Sequence, residues 1–158
     1  MYTSLDGTDC QIQEPFPFDS KWFSHKLRAA GLRYEIALCI KTGEMVWAFG
    51  GLPCGEFPDL KLARLRYINM LQVGEKSVAD KGYRDRRYFI NPIDDADSSV
   101  LQKSIMARHE TVNKRIKQFR ILSDTFRHDI DKHQICFYAV CNLTQLMLIN
   151  GEPLYAVL

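Results

Sequence analysis

Apolar and polar positions alternate over short stretches in the first half of the chain and recur at helical spacing in the second half. Residues 4–13 read as a strand around Asp6, ended by the proline-rich segment 14–19. Residues 31–40 are β-rich and partly alternating. After the turn Lys41-Thr42-Gly43 comes the stretch 44–50, and the two predict a hairpin. A breaker-rich loop follows. From Asp59 to Leu71 the apolar residues Leu60, Ala63, Leu65, Ile68 and Leu71 fall at helical spacing. Residues 76–80 read as a short strand running into the turn Lys81-Gly82-Tyr83, and 86–91 as another, closed by Pro92. The acidic stretch 94–99 supplies N-caps for a long helix from about Ser99 to Leu122. A last helix, about Asp131 to Leu148, is apolar on most sides and is expected to be buried.

Composition narrows the class. A chain of 158 residues with 46% hydrophobic content suits one domain, 1–158, with its own core. The net charge of +2 says little, but its distribution says more. Residues 1–20 hold Asp6, Asp9, Glu14 and Asp19 and no Lys or Arg, whereas 101–128 hold seven Lys or Arg against Glu110 and Asp124. An acidic region beside a basic helix suits a metal-dependent enzyme acting on phosphates. The N-terminus lacks the basic start and apolar run of a signal peptide, which points to a nuclear protein in a eukaryote or a cytoplasmic one otherwise. No apolar stretch reaches the roughly 18 residues that span a bilayer. Five cysteines without a CxxC spacing read as small buried hydrophobes.

The chemistry centres on three acids. Asp6 and Asp80 lie where short strands meet turn-forming residues, and Glu110 lies on the basic helix. Carboxylates from two strands and a helix can share two divalent cations and leave an open face for a polyanion. Each has a plainer role: Asp6 as a turn residue before Gly7, Asp80 as the start of the Lys-Gly turn. Asp59 is the rival for the second acid, although after Pro58 it reads first as a helix N-cap. Asp9, an odd number of residues from Asp6, should face the other side of the strand and read as a surface acid. Lys114 and Lys117 lie four and seven residues beyond Glu110, on one helix face, where they could meet phosphates. Arg108, Arg115, Lys81 and Lys26 join them as candidate DNA contacts. His128, His133, Cys136 and Cys141 have gaps of 5, 3 and 5. Structural zinc sites present tighter pairs, so packing explains these four better.

The element order (three strands, helix, strand, short strand, helix) is that of an RNase H-like α/β fold. Such a fold has a central mixed sheet of three antiparallel strands plus parallel strands, flanked by helices. Five segments carry a more specific resemblance: Asp6-Gly7-Thr8-Asp9-Cys10, the stretch 21–26 with Gly31-Leu32-Arg33-Tyr34-Glu35, the stretch 53–64, the stretch 78–83, and 108–122 with Glu110. In this order they resemble the catalytic domain of a Harbinger-like DDE transposase, a DDE superfamily endonuclease. The resemblance covers nearly the whole chain. It implies DNA cutting and joining at a site of Asp6, Asp80 and Glu110 holding two Mg²⁺ or Mn²⁺ ions. Asp6 would bridge the two, Asp80 would bind one and Glu110 the other.

The implied substrate is DNA, both transposon ends and target. Family members usually carry a helical DNA-binding region before the first catalytic strand, and only five residues precede Asp6 here. End recognition is therefore expected to need a separate DNA-binding partner or a second copy. The 30-residue interval from Asp80 to Glu110 is tighter than the family pattern, which keeps open which acid completes the site. Two other functions share part of these features, the second of them the acid site but not the stretches 21–26 and 53–59. One is a non-catalytic or domesticated transposase-derived domain that binds DNA or a protein. The other is an RNase H-like nuclease unrelated to transposition.

Overall fold

The computed structural model describes residues 3–91 and 96–157, with 96–99 described by backbone alone. Strand β1 (Thr3–Gln11) is the axis of the molecule. From Thr3 to Cys10 every residue is buried except Asp6, which is half-buried. A strand covered on both faces needs no alternation, and β1 is built mostly of small residues whose polar groups are buried within the fold.

After a 3₁₀ turn at Ser20–Trp22 come β2 (Phe23–Ser24), β3 (Ala29–Cys39) and β4 (Met45–Pro53). β3 runs antiparallel to β1 from Thr3↔Cys39 to Gln11↔Gly31, and both β2 and β4 pair antiparallel with β3. β5 (Ser77–Ala79) then lies parallel to β1, and β6 (Phe89–Ile90) lies parallel to β5. The result is a six-stranded mixed sheet in the order β2-β3-β1-β5-β6, with β4 also on β3. The hairpin and both short parallel strands are where the sequence pattern predicts them, within a few residues.

Helices cover the two faces. On one face Leu5, Ala37 and Ala79 pack with Ala63 of α1 (Asp59–Leu65), Tyr67 of α2 (Tyr67–Met70), Tyr83 and Phe89. On the other, Cys10, Leu32, Tyr34, Ile36 and Leu38 pack with Val112 and Ile116 of α3 (Ala96–Ile116). Leu122 of α4 (Arg120–Ser123) and Phe137, Val140 and Cys141 of α5 (Ile130–Ile149) complete that layer. Such a layered packing buries both sheet faces at once. The cysteines are free thiols, and Cys10 and Cys141 serve as small apolar residues of the larger core.

Four expectations are corrected. The helix predicted over 59–71 breaks at Arg66, whose φ of −143° leaves the helical region. The break turns Tyr67 inward, and its hydroxyl hydrogen-bonds Thr3 at 2.8 Å and Ser77 at 2.6 Å. The long helix ends at Ile116 rather than Leu122, and the extended Phe119 swings Leu122 into the core. The last helix is buried on one face only: His133, Phe137, Val140, Cys141, Thr144 and Leu148 face inward, while Ile135, Leu143, Leu146 and Ile149 are exposed. Asp9 does face away from Asp6's side but is no surface acid. It is buried in a two-pronged pair with Arg33 (Nε–Oδ1 2.8 Å, Nη2–Oδ2 2.8 Å) and accepts from Ser24 Oγ at 2.6 Å. Pro92, Asp94 and Asp95 lie outside the described residues, as do the side chains of Asp97, Ser98 and Ser99, so the strand closure and N-caps expected there do too.

The Asp9–Arg33 pair locks β1 to β3 from within. Breaking one partner of a buried pair strands the other charge. Asp9→Asn is therefore expected to destabilise the fold by about 3 kcal/mol, seen as a lower urea midpoint at unchanged m-value.

Candidate active site

The register of the parallel pair sets the site. Leu5 lies opposite Ala79, so Asp6 and Asp80 each follow the last paired position, near enough that the charge of Asp80 acts on Asp6. Asp80 follows the last residue of β5, at the carboxyl edge where open α/β sheets offer a crevice.

Asp6 is held by two donors. Its Oδ1 accepts from the Gly7 amide and its Oδ2 from Asn113 Nδ2 of α3, both at 2.9 Å. Burial raises its pKa to about 6, with the charges of Asp80 and Asp59 adding to the rise and Lys26 and the Gly7 N–H opposing it. Asp80 Oδ1 accepts the Gly82 amide at 2.8 Å, which is the turn its sequence suggested. The turn role and a role at the site are compatible, because this bond uses one carboxylate oxygen.

Asp59 belongs to the same cluster. Pro58, not Asp59, stands at the N-cap of α1, so the capping role expected of Asp59 is corrected. Its carboxylate is directed across the sheet edge instead. A Cβ on Gly7 would fall 2.5 Å from Asp59 Oδ1, and a Cβ on Gly82 would fall 2.9 Å from both Asp59 Oδ2 and Asp80 Oδ1. Two glycines thus give the room in which the acids approach. Lys26 Nζ lies 3.6 Å from Asp59 Oδ2 and Arg33 Nε lies 3.4 Å from Oδ1.

Glu110 stands apart. Its side chain is 68% exposed and pairs with Lys114 at 3.0 Å, one helical turn before the Asn113 that reaches Asp6. Among the described residues, no group of three or more His, Cys, Asp or Glu side chains is arranged to hold a metal ion.

The candidate DNA contacts divide sharply. Lys114, 74% exposed, and Lys81 are open to solvent, and Lys26 is exposed beside Asp59. Lys117 shares the stripe of Glu110 but turns inward, donating to the Asp9 carbonyl, and Arg115 donates to the Glu152 carbonyl. Arg108 is corrected outright. At 1% exposure it cannot meet DNA, and its Nη2 closes the end of β3 by donating to the Cys39 and Ile40 carbonyls at 3.0 and 2.7 Å. Of the residues weighed for zinc, His133 is spent on packing, with Nδ1 2.7 Å from the Tyr34 hydroxyl.

Three residues near the acids had escaped the sequence reading. Asn113 could have been found at i+3 from Glu110, on the same helix stripe. Glu35 is the lone acid inside an apolar strand; it is fully buried, accepting from Trp47 Nε1 at 3.1 Å while its Oε2 has no partner. Burial raises its pKa to about 7, against the Trp47 bond and with help from Asp59. Tyr83 is buried too, its hydroxyl unpaired 3.4 Å from where a Gly7 Cβ would be.

Comparison with known proteins gives the family. The chain belongs to the DDE superfamily endonucleases, matching the family over residues 5–145, a span that includes Asp6, Asp59, Asp80 and Glu110. This makes it a DDE transposase-type domain. No curated protein and no solved structure matches it. Among the described residues, no helix is long and apolar enough to cross a membrane.

Glu35 generates a stability prediction. Its folded pKa is raised above the unfolded value of 4.5, so the folded state binds the proton more tightly and loses stability as pH climbs from 4.5 through about 7. Glu35→Gln keeps an acceptor for Trp47 and removes the ionisation. It is expected to stabilise the protein at pH 8 by about 1–3 kcal/mol relative to its effect at pH 5, read from thermal melts at both values.

Proposed function

We propose that this chain is a transposase-type DNA endonuclease and strand-transferase with an RNase H-like arrangement. Asp6 and Asp80 are its paired acids, and Glu110 or Asp59 completes the set. The reading rests on one observation: parallel pairing of β1 with β5 sets Asp6 beside Asp80 within a sequence of the DDE endonuclease family.

The residues fit Mg²⁺ or Mn²⁺. Every donor is a carboxylate oxygen, the type hard cations prefer. Asp59 Oδ1 makes no hydrogen bond and is met only by the Arg33 guanidinium at 3.4 Å, so it still has acceptor capacity. Asp6 has its pKa raised by burial with other acids nearby, an arrangement that a cation relieves. When bound, two such ions would activate a water or a 3′-hydroxyl and stabilise the leaving oxygen of a phosphodiester.

The protein's own part is positioning. Asn113 and the Gly7 amide fix the plane of the Asp6 carboxylate. The Gly82 amide does the same for Asp80. Lys26 offsets the crowded negative charge until substrate arrives, and the exposed Lys114 and Lys81 are available to phosphates on either side.

A second reading has specific support. Glu110 is already paired with Lys114, and no three-ligand group is assembled among the described residues. Both favour a transposase-derived domain that binds DNA or a protein partner without cutting it.

Calorimetric titration with Mn²⁺ and nicking of supercoiled plasmid separate the two. Asp6→Ala and Asp80→Ala are expected to abolish both binding and nicking. Asn113→Ala should weaken Mn²⁺ binding by about 10–100-fold, as loss of an outer-shell partner does. Glu110→Gln should reduce nicking and leave DNA affinity intact. Equal Mn²⁺ binding by the wild type and both Asp variants would remove Asp6 and Asp80 as ligands and leave the non-catalytic reading.

A further inference from the structure

Directly after Asp80 the chain carries four basic residues in seven: Lys81, Arg84, Arg86 and Arg87. All four are exposed. The one acid among them, Asp85, is buried and pairs with one of the four, Arg87, and with Arg64 of α1. Its two oxygens are spent inward, Oδ2 on Arg64 Nη2 at 3.0 Å, and Oδ1 on the Arg87 amide at 3.2 Å and Arg87 Nε at 3.4 Å. Among the described residues Lys81, Arg84 and Arg86 have no acid partner, so the exposed face of the loop carries net positive charge.

The loop is also built to hold its shape. Tyr83 plugs it into the core beside Phe89. The Asn91 Nδ2 amide lies within hydrogen-bond distance of the carbonyls of Ala79, Asp80 and Tyr83, and its two hydrogens, shared among them, tie the start of the loop to the residue after β6. Arg84 Nε donates to the Lys81 carbonyl at 3.0 Å, and Lys76 Nζ to the Arg86 carbonyl at 2.7 Å. A solvated surface charge run needs no such anchoring. Fixing the backbone lowers the ordering cost of binding an extended polyanion.

Position gives the partner. The loop starts at the Asp6–Asp80 pair and runs outward to β6, the last strand of the sheet. We propose that the loop Lys81–Arg87, with Arg64 of α1 beside it, is a sequence-independent track for the sugar-phosphate backbone of the DNA strand leaving the acid site. Arg87 and Arg64 each hold Asp85 by one edge while 78% and 55% of their side chains remain in solvent. A guanidinium presents five donors in a planar fork and can serve a buried carboxylate and a phosphate together. The inference rests on the nuclease reading only for the identity of the polyanion as DNA.

Binding can be tested apart from chemistry. Fluorescence anisotropy with a labelled 30-base-pair duplex, in EDTA and over a salt series, reads the phosphate contacts directly. The variant Lys81→Gln/Arg84→Gln/Arg86→Gln removes three charges and spares the pairs to Asp85. The control Lys41→Gln/Arg127→Gln/Lys132→Gln removes three exposed charges elsewhere. Each lost phosphate contact lowers the log–log salt slope by about 0.9. The loop variant is expected to lose 2 or more from the slope and at least tenfold in affinity, with the control near wild type. Equal behaviour of the two variants, or no binding by the wild type at low salt, overturns the proposal. So does displacement of the duplex by poly-glutamate as effective as by unlabelled DNA. The anisotropy is read without metal, so loss of nicking by Asp6→Ala in a separate assay with Mn²⁺, with duplex binding intact in EDTA, bears on the catalytic reading alone.

Discussion

Three parallel pairs, Thr3↔Ser77, Ser4↔Val78 and Leu5↔Ala79, carry the arrangement of the whole acidic edge. A slip of one residue would send Asp80 to the opposite face from Asp6 and turn Ala79 out of the core. The register is fixed from both sides. On one face Leu5 and Ala79 share a core with Tyr67 and Tyr83, and the hydroxyls of Thr3, Tyr67 and Ser77 interlock at 2.6–2.8 Å. On the other, the buried His109 Nε2 lies 2.9 Å from the Ser4 carbonyl and keeps α3 against β1. Asn113 and Glu110 take their places from that docking. The site is thus a consequence of core packing a few residues away.

Gathering Asp6, Asp59 and Asp80 at one edge is electrostatically unfavourable, and the surroundings show how it is tolerated. Arg33 is shared between Asp9 and Asp59, and Lys26 lies against Asp59 from outside. Its two-pronged bond to Asp9 holds the Asp9 carboxyl below the usual range despite burial. Among the described residues no comparable partner reaches Asp6, whose donors are a backbone amide and a side-chain amide, and there burial prevails. Two aspartates three residues apart on one strand thus differ in direction: Asp9 is held charged by its partner, and Asp6 has its pKa raised by burial, the pattern expected of the acid site proposed above.

Much of this was legible in the sequence. Strand-turn patterns located Asp6 and Asp80, and the hairpin followed from its turn and alternation. What the pattern could not supply was direction. Arg108, Lys114, Arg115 and Lys117 look alike as a basic run, yet three of them donate to backbone carbonyls and only Lys114 has its charge in solvent beside a carboxylate. Helical spacing gives a stripe, and the neighbouring strand decides which residues on it are drawn inward. Pro-Asp before a helix predicts a cap at Asp59, but Pro58 takes the N-cap position and two glycines give the Asp59 carboxylate room at the sheet edge. α5 was read as buried because its composition is apolar, although the sheet it packs on covers one face only.

The charge census changes once these internal uses are removed. Arg33, Arg108, Arg115 and Lys117 are committed to the fold. The cations left in solvent near the acids come mainly from a different place, the loop after Asp80, where the one acid is turned inward and the backbone is pinned by Asn91. Positive charge that is both exposed and rigid is the kind that converts long-range attraction into a defined path for a polyanion. On that ground the β5–β6 loop, more than the basic helix, sets the direction in which DNA would cross the carboxylate edge.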